Sequence, residues 1–164
     1  MRQRTAIRDR FKAKVAIVTG GSSGIGRATV EELTNEGAAV AFTGLEEDDG
    51  VAFEKKLSED GYDALYCYGD MADGGFCKGV VERTVSKWGG VDYLVNNAFS
   101  FVSRGLDATR EDWDRILDVG PVAFATMAQS AAEPMKHRGG GAIVNISSVS
   151  AHIAQPNRWT YNAA

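Results

Sequence analysis

Five short runs along the chain are apolar almost without interruption: Lys14 to Thr19, Ala39 to Thr43, Ala64 to Tyr68, Tyr93 to Asn96 and Ala142 to Ser147. They lack the apolar–polar alternation of a half-exposed strand, and runs of this kind predict strands buried on both faces of a parallel sheet. Longer stretches of a different pattern separate them. Ile25 to Glu36, Val51 to Asp60, Asp73 to Trp88 and Arg110 to His137 carry apolar residues at helical spacing. Phe76, Val80, Thr84 and Trp88 recur this way, as do Trp113, Ile116, Leu117, Gly120, Phe124, Met127, Ala131 and Met135, so each series predicts one buried helix face.

Strands and helices alternating at these lengths predict an α/β protein with a doubly wound, open parallel sheet of five strands and helices on both faces. The fourth helical stretch contains a conflict at Gly120-Pro121. Gly costs about 1 kcal/mol and Pro about 3 kcal/mol in a helix interior relative to Ala, and Pro121 lacks the N–H that the helical ladder needs. A kink or break is expected there.

The chain has 164 residues, enough for one domain with a sizeable core. Its formal net charge of -4 offers no footprint for nucleic acid. The early basic residues Arg2, Arg4, Arg8, Arg10, Lys12 and Lys14 are interrupted by Asp9 and read as a solvated N-terminal extension. No run has membrane-spanning length and the basic start lacks an apolar signal stretch, so a cytoplasmic location without membrane partners is expected. Cys67, Cys77, His137 and His152 fall at no metal-ligand spacing, and no metal site is expected.

Candidate chemistry begins directly after the first strand, at Thr19-Gly20-Gly21-Ser22-Ser23-Gly24-Ile25-Gly26. Glycines allow a tight turn and close approach of the backbone to a pyrophosphate. Free N–H groups and the helix dipole behind the turn favour the anion, and Ser22 and Ser23 add hydroxyl donors. A glycine run alone is weak evidence, but one placed between a first strand and an amphipathic helix predicts phosphate binding.

The Gly-x-x-x-Gly-x-Gly spacing with its leading Thr resembles the short-chain dehydrogenase/reductase family. Four further segments follow in the same order. Asp70-Met71 is similar to the family's Asp-hydrophobic pair near the adenine ring, and Asn96-Asn97-Ala98 to its Asn-Asn-Ala-Gly stretch. Ile143 to Ser148 resembles the fifth strand with the active-site serine, and Tyr161 follows at the family's usual interval. The resemblance spans Lys12 to the last residue. It implies an extension over residues 1–12 and a Rossmann-type dinucleotide-binding domain over 13–164, shortened at its C-terminus. The implied activity is NAD(P)-dependent interconversion of an alcohol and a ketone. The implied cofactor residues are Gly20, Ser22, Ser23, Gly24, Ile25, Gly26, Leu45, Asp70, Met71, Asn97, Ala98 and Tyr161.

For the dinucleotide itself, a carboxylate after the second strand suits NAD and a basic side chain suits NADP. The corresponding positions are Gly44 and Leu45, followed by Glu46 and Glu47, with no Arg or Lys until Lys55. Acidic neighbours repel a 2′-phosphate, so NAD is expected over NADP. The other reading of Glu46, Glu47, Asp48 and Asp49 is a solvated acidic helix start.

The resemblance assigns the catalytic roles to Tyr161, which exchanges a proton with the substrate oxygen, and Ser148, which hydrogen-bonds it. It also implies a lysine four residues after the tyrosine and an asparagine in the fourth helix. The sequence ends at Ala164, one residue short of the lysine, and Gly120 stands at the asparagine position. Phe99 replaces the glycine of Asn-Asn-Ala-Gly. A phenol ordinarily ionises near about pH 10, and a nearby cation favours the phenolate. Without those partners, weak or absent turnover is expected. The second reading is therefore a catalytically silent dinucleotide-binding or oligomerising module. With the family's further strands missing, Ala142 to Ser147 is expected to be a bare edge that either pairs with a second copy or makes the chain poorly soluble. Phe99, Phe101 and Trp159 are candidates for an apolar pocket.

Overall fold

In the computed structural model, which describes residues 9–164, five strands form one parallel sheet in the order β3-β2-β1-β4-β5. They are β1 (Val15–Val18), β2 (Ala39–Gly44), β3 (Ala64–Tyr68), β4 (Tyr93–Asn96) and β5 (Ala142–Asn145). The helices are α1 (Gly24–Asn35), α2 (Glu47–Glu59), α3 (Gly74–Trp88), α4 (Arg110–Leu117), α5 (Ala123–His137) and α6 (Trp159–Ala163).

The sheet has two cores because alternate strand residues face opposite ways. Ile17, Ala41, Cys67 and Leu94 pack with Cys77, Val80 and Val81 of α3 and Met127, Ala131 and Met135 of α5. Ala16, Val18, Val40, Phe42 and Tyr66 face Val30 of α1 and Phe53 and Leu57 of α2. Burial explains why four of the five strands read as continuously apolar. β5 is the exception: all four of its residues are exposed, and among the described residues it pairs with β4 alone, as one of the two sheet edges with β3 at the other. It is the sheet edge expected for the fifth run.

The boundaries add to the expectation at three places, of which the second is the expected break at Gly120-Pro121. α2 starts at Glu47, four residues before the apolar period begins, because Glu47, Asp48 and Asp49 occupy its first turn. Carboxylates there are stabilised by the helix dipole, so the acidic stretch is a helix start as well as a neighbour of β2. The expected long fourth helix is two helices, α4 and α5. Between them Asp118–Val122 forms a π-type turn in which Gly120 leaves helical geometry, with φ -90 and ψ -107. Pro121 sits inside that turn, as its missing N–H requires. Third, part of the expected extension is packed onto the domain. The Phe11 N–H donates to the Glu36 carbonyl at 2.8 Å, and its ring meets Tyr93 edge-on at 5.5 Å. Arg10 pairs with the Glu36 carboxylate, and Lys14 reaches Asp92 at 3.2 Å. Arg2, Arg4 and Arg8 lie outside the described residues.

Candidate functional site

The chain runs outward from β1 through β2 to β3, then returns to place β4 and β5 on the other side of β1. The loops after β1 and β4 therefore diverge, leaving a crevice at the carboxyl ends of the strands. This is the place where open α/β sheets take ligands.

Hydrogen bonds from both neighbouring strands hold the turn after β1. The Gly20 N–H donates to the Thr43 hydroxyl at 3.0 Å and the Gly21 N–H to the Thr43 carbonyl at 2.8 Å. From the other side, the Asn97 amide donates to the Thr19 and Gly20 carbonyls at 2.9 and 3.2 Å. The buried Thr19 hydroxyl accepts from the Asn97 and Ala98 N–H groups at 2.9 and 3.0 Å. Gly20 and Gly24 have φ of +64 and +53, which glycine adopts readily. Gly26 is required for space: a Cβ there would lie 2.1 Å from the Gly20 carbonyl oxygen and 2.6 Å from Asn97 Nδ2. Ser23 is the N-cap residue of α1 and makes no side-chain cap bond. Sequence reading found the glycines, the leading Thr19 and Asn97, but neither the hydrogen bonds that the Thr19 hydroxyl accepts nor any role for Thr43, which belongs to no motif.

One cleft of about 380 Å³ lies over the ends of β1, β2 and β3 and is bordered by Gly20, Ser22, Ser23, Leu45, Asp70, Met71 and Ala98. These are seven of the expected cofactor residues. Leu45 is exposed there, whereas Met71 is buried and receives the Thr43 hydroxyl on its sulfur at 3.5 Å. A Cβ at Gly44 would meet the Ser22 hydroxyl at 2.3 Å, so the Ser22 side chain occupies the space that a larger residue 44 would need. Beneath this turn the Tyr66 hydroxyl donates to the Glu46 carbonyl at 2.9 Å. Its pKa is pushed up to about 12 by burial, then by the nearby Tyr68, Glu46 and Glu47.

The cleft also contains a cation that sequence order hid. Arg115 of α4 donates to Asp70 Oδ2 at 2.5 Å, while the Ala72 N–H donates to Asp70 Oδ1 at 3.0 Å. Burial alone would raise the Asp70 carboxyl, but the Arg115 hydrogen bond, the Ala72 N–H and the Arg115 charge together hold it below the usual range.

A second cavity of about 710 Å³ adjoins the first at Phe99 and Phe101 and contains Ile25, Asn97, Asn145, Ser148 and Tyr161. It brings together the two expected catalytic residues, which are 13 positions apart in the sequence. Ser148 caps a 3-10 turn, Val149–Ala151, and its hydroxyl oxygen accepts from the Ser150 N–H at 3.2 Å. Tyr161 lies in the short helix α6, which is anchored on both sides of it. The buried Thr160 hydroxyl donates to the Val102 carbonyl at 2.6 Å and accepts from the Arg104 N–H at 2.8 Å. The Asn162 amide donates to the Ser150 and Ile153 carbonyls at 2.6 and 2.7 Å. Thr160 and Asn162 are thus the residues that tie Tyr161 to the serine loop and to the loop after β4. Of the three candidate aromatics, Phe99 and Phe101 line the cavity; Trp159 is half exposed and does not.

Comparison with known proteins matches this arrangement. The family model described as short chain dehydrogenase covers residues 14–164. An uncharacterized oxidoreductase of Thermotoga maritima is 36% identical over 155 residues, which are 94% of this chain and 60% of the relative. The NADP-dependent (R)-specific alcohol dehydrogenase of Lentilactobacillus kefiri is 35% identical, over 95% of this chain and 62% of its own length. A 7α-hydroxysteroid dehydrogenase solved with NADH and 7-oxo glycochenodeoxycholic acid superposes with a TM-score of 0.90 at 27% identity, covering 98% of this chain and 63% of that one. The chain thus spans about 60% of the length of the curated relatives it matches.

Proposed function

The chain belongs to the short chain dehydrogenase family, and on that premise we propose that its strand-end crevice binds a nicotinamide dinucleotide for alcohol–ketone interconversion. The observation that carries this reading is the fit of the cradle. Gly26 has no room for a side chain beneath Gly20, and Thr43 and Asn97 hold that turn from either side. Gly20, Ser22 and Ser23 would hold the pyrophosphate, and Asp70 and Ala98 would face the adenosine half. Asn97 and Ile25 would border the nicotinamide end. When bound, the cofactor supplies or accepts the hydride. Tyr161 exchanges the proton with the substrate oxygen, and Ser148 hydrogen-bonds that oxygen and orients it.

We favour NAD over NADP. Leu45 presents no charge, Glu46 borders the same cleft, and the one basic side chain lining it among the described residues, Arg115, is already paired with Asp70. Titration of NADH and NADPH against tryptophan fluorescence is expected to show NADH binding about tenfold tighter, about 1.4 kcal/mol. Leu45→Arg is expected to narrow or reverse that ratio. Saturation by neither nucleotide would overturn the cofactor reading.

A silent binding module is favoured by one observation, the glycine at position 120, which provides no side chain for a proton relay. Ketone-dependent oxidation of NADH separates the two readings. Turnover that falls about 10² to 10⁴-fold in Tyr161→Phe supports the enzyme, and saturable nucleotide binding without turnover supports the silent module.

Self-association through β5 is a second proposal. Ile143 and Val144 are 42% and 49% exposed on a strand paired on one side only, and such an edge templates pairing with another chain. Sedimentation is expected to show mass rising with concentration, suppressed in Val144→Lys. A monomer at every concentration would refute it.

A further inference from the structure

The two departures from the family pattern, Phe99 and Gly120, lie far apart in sequence yet meet in space. A Cβ on Gly120 would stand 2.8 Å from Phe99 Cε2, closer than side-chain carbons approach, and 3.4 Å from Cδ2, at van der Waals contact. The same Phe99 ring meets Tyr161 edge-on, with centroids 5.5 Å apart and planes at 85°. Phe101 lies against the same tyrosine at 5.0 Å and 30°. The Phe99 ring therefore lies against both a residue without a side chain and the tyrosine at the reacting end of the cavity. The loop that carries both phenylalanines is tied to α6 by Thr160 through Val102 and Arg104, which holds its backbone beside Tyr161.

Beyond the phenylalanines the cavity is also lined by Pro121, Phe124, Ala125 and Ala128, while Ser148, Asn145 and Tyr161 supply polar groups. Its volume of about 710 Å³ is far more than a three-carbon ketone fills. Pockets of this size are usually apolar, with a few polar groups that orient the ligand. Aromatic faces and edges add specific attraction for flat or C–H-rich ring surfaces beyond simple area burial.

We propose that Gly120 and Phe99 act as one unit: the missing side chain at 120 admits the Phe99 ring, and the Phe99–Phe101 wall against Tyr161 selects ring-shaped carbonyl or alcohol substrates over short polar chains. The selectivity half rests on the reading that Tyr161 meets the substrate oxygen; the steric half does not. Gly120 is thus more than a lost asparagine, and the two departures constitute one structural change. Phe99 is the specificity-determining residue and Gly120 a positioning residue acting through it.

Two measurements test this together. In thermal unfolding, Gly120→Ala is expected to lower Tm by about 3 to 8 °C in the native background. The same change made in Phe99→Ala is expected to shift Tm by no more than about 1 °C, and equal shifts in both backgrounds would overturn the coupling. For selectivity, cyclohexanone and the linear 3-hydroxy-2-butanone are titrated by saturation-transfer NMR, with NADH binding followed in parallel. Cyclohexanone is expected to bind the native chain more tightly than the linear ketone and to weaken about tenfold in Phe99→Ala. Phe99→Leu, which retains apolar volume, serves if the alanine variant unfolds, and is expected to weaken cyclohexanone binding in the same direction. No preference for the ring, or a preference untouched by Phe99 substitution while NADH still binds, would overturn the inference and leave the cofactor reading standing. Failure of NADH to bind would count against the cofactor reading alone.

Discussion

Replacing Asp92 by alanine is expected to lower folding stability by about 2 to 3 kcal/mol, the effect of breaking a buried charge–hydrogen-bond cluster, discounted for partly exposed partners. Asp92 is 3% exposed and stands immediately before β4. Its carboxylate accepts from the Val15 N–H at 2.9 Å, from Arg138 at 2.8 Å and from Lys14 at 3.2 Å. Its own N–H donates to the Val15 carbonyl and its carbonyl accepts from the Ala142 N–H. One residue thus joins the starts of β1, β4 and β5 to the end of α5. The alanine variant leaves the Val15 N–H without its partner and two cations without their counter-charge. Burial pushes the Asp92 carboxyl up, but the hydrogen bonds from Arg138, Val15 and Lys14, together with the Arg138 charge, outweigh it and hold the group below its usual range. A depressed carboxyl contributes its full stabilisation above the unfolded value, near about 3.9. That contribution is lost as pH falls through the lower folded value. Urea denaturation should therefore show the difference between native and variant chains constant from pH 7 to about pH 5 and shrinking below about pH 4. A variant as stable as the native chain at pH 7 would refute this role.

Gly26→Ala is expected to abolish nucleotide binding to the extent of about a hundredfold, about 2.7 kcal/mol. The added methyl would lie 2.1 Å from the Gly20 oxygen, 2.8 Å from the Gly20 carbonyl carbon and 2.6 Å from Asn97 Nδ2. Two of those three atoms are backbone, which gives way only by moving the turn. The Asn97 amide also holds the Thr19 and Gly20 carbonyls, so the displacement loosens the contact between the β1 turn and the loop after β4. Gly24→Ala is the control. Nothing lies within 4 Å of its Cβ position, and its only difficulty is a φ of +53, costing about 1 to 2 kcal/mol for a side chain. Paired NADH titrations should rank Gly26→Ala well below Gly24→Ala in affinity. The opposite ranking would show that conformational freedom at the turn, rather than close approach beneath it, is what the glycines provide.

Much of the architecture was legible in the chain because the relevant physics is local. A strand buried on both faces must be apolar throughout, so β1 to β4 announced themselves by composition. β5 shares that composition although all of its residues are exposed; β3 is the opposite edge of the sheet yet is packed against Phe53 and Leu57 of α2, so cover by a helix, which composition does not reveal, distinguishes the two. The break at Gly120-Pro121 followed from one missing N–H, and the tight turn after β1 from glycines placed between a strand and a helix. The α2 start was less legible, since its first turn is stabilised by charge against a dipole and shows no apolar period.

What the sequence by itself determined was therefore the element order and the glycine-rich turn after β1, while its resemblance to the family pointed to Ser148 and Tyr161 as candidates. Tertiary structure alone decided who meets whom. It joined Arg115 to Asp70 across 45 positions and Thr160 to Val102 across 58. It gathered Lys14, Val15 and Arg138 around Asp92 and set the Phe99 ring over Gly120. The physical reason is that hydrogen bonds, ion pairs and steric fit depend on distance in space. The parallel sheet brings every strand's carboxyl end to the same edge, whatever the separation along the chain.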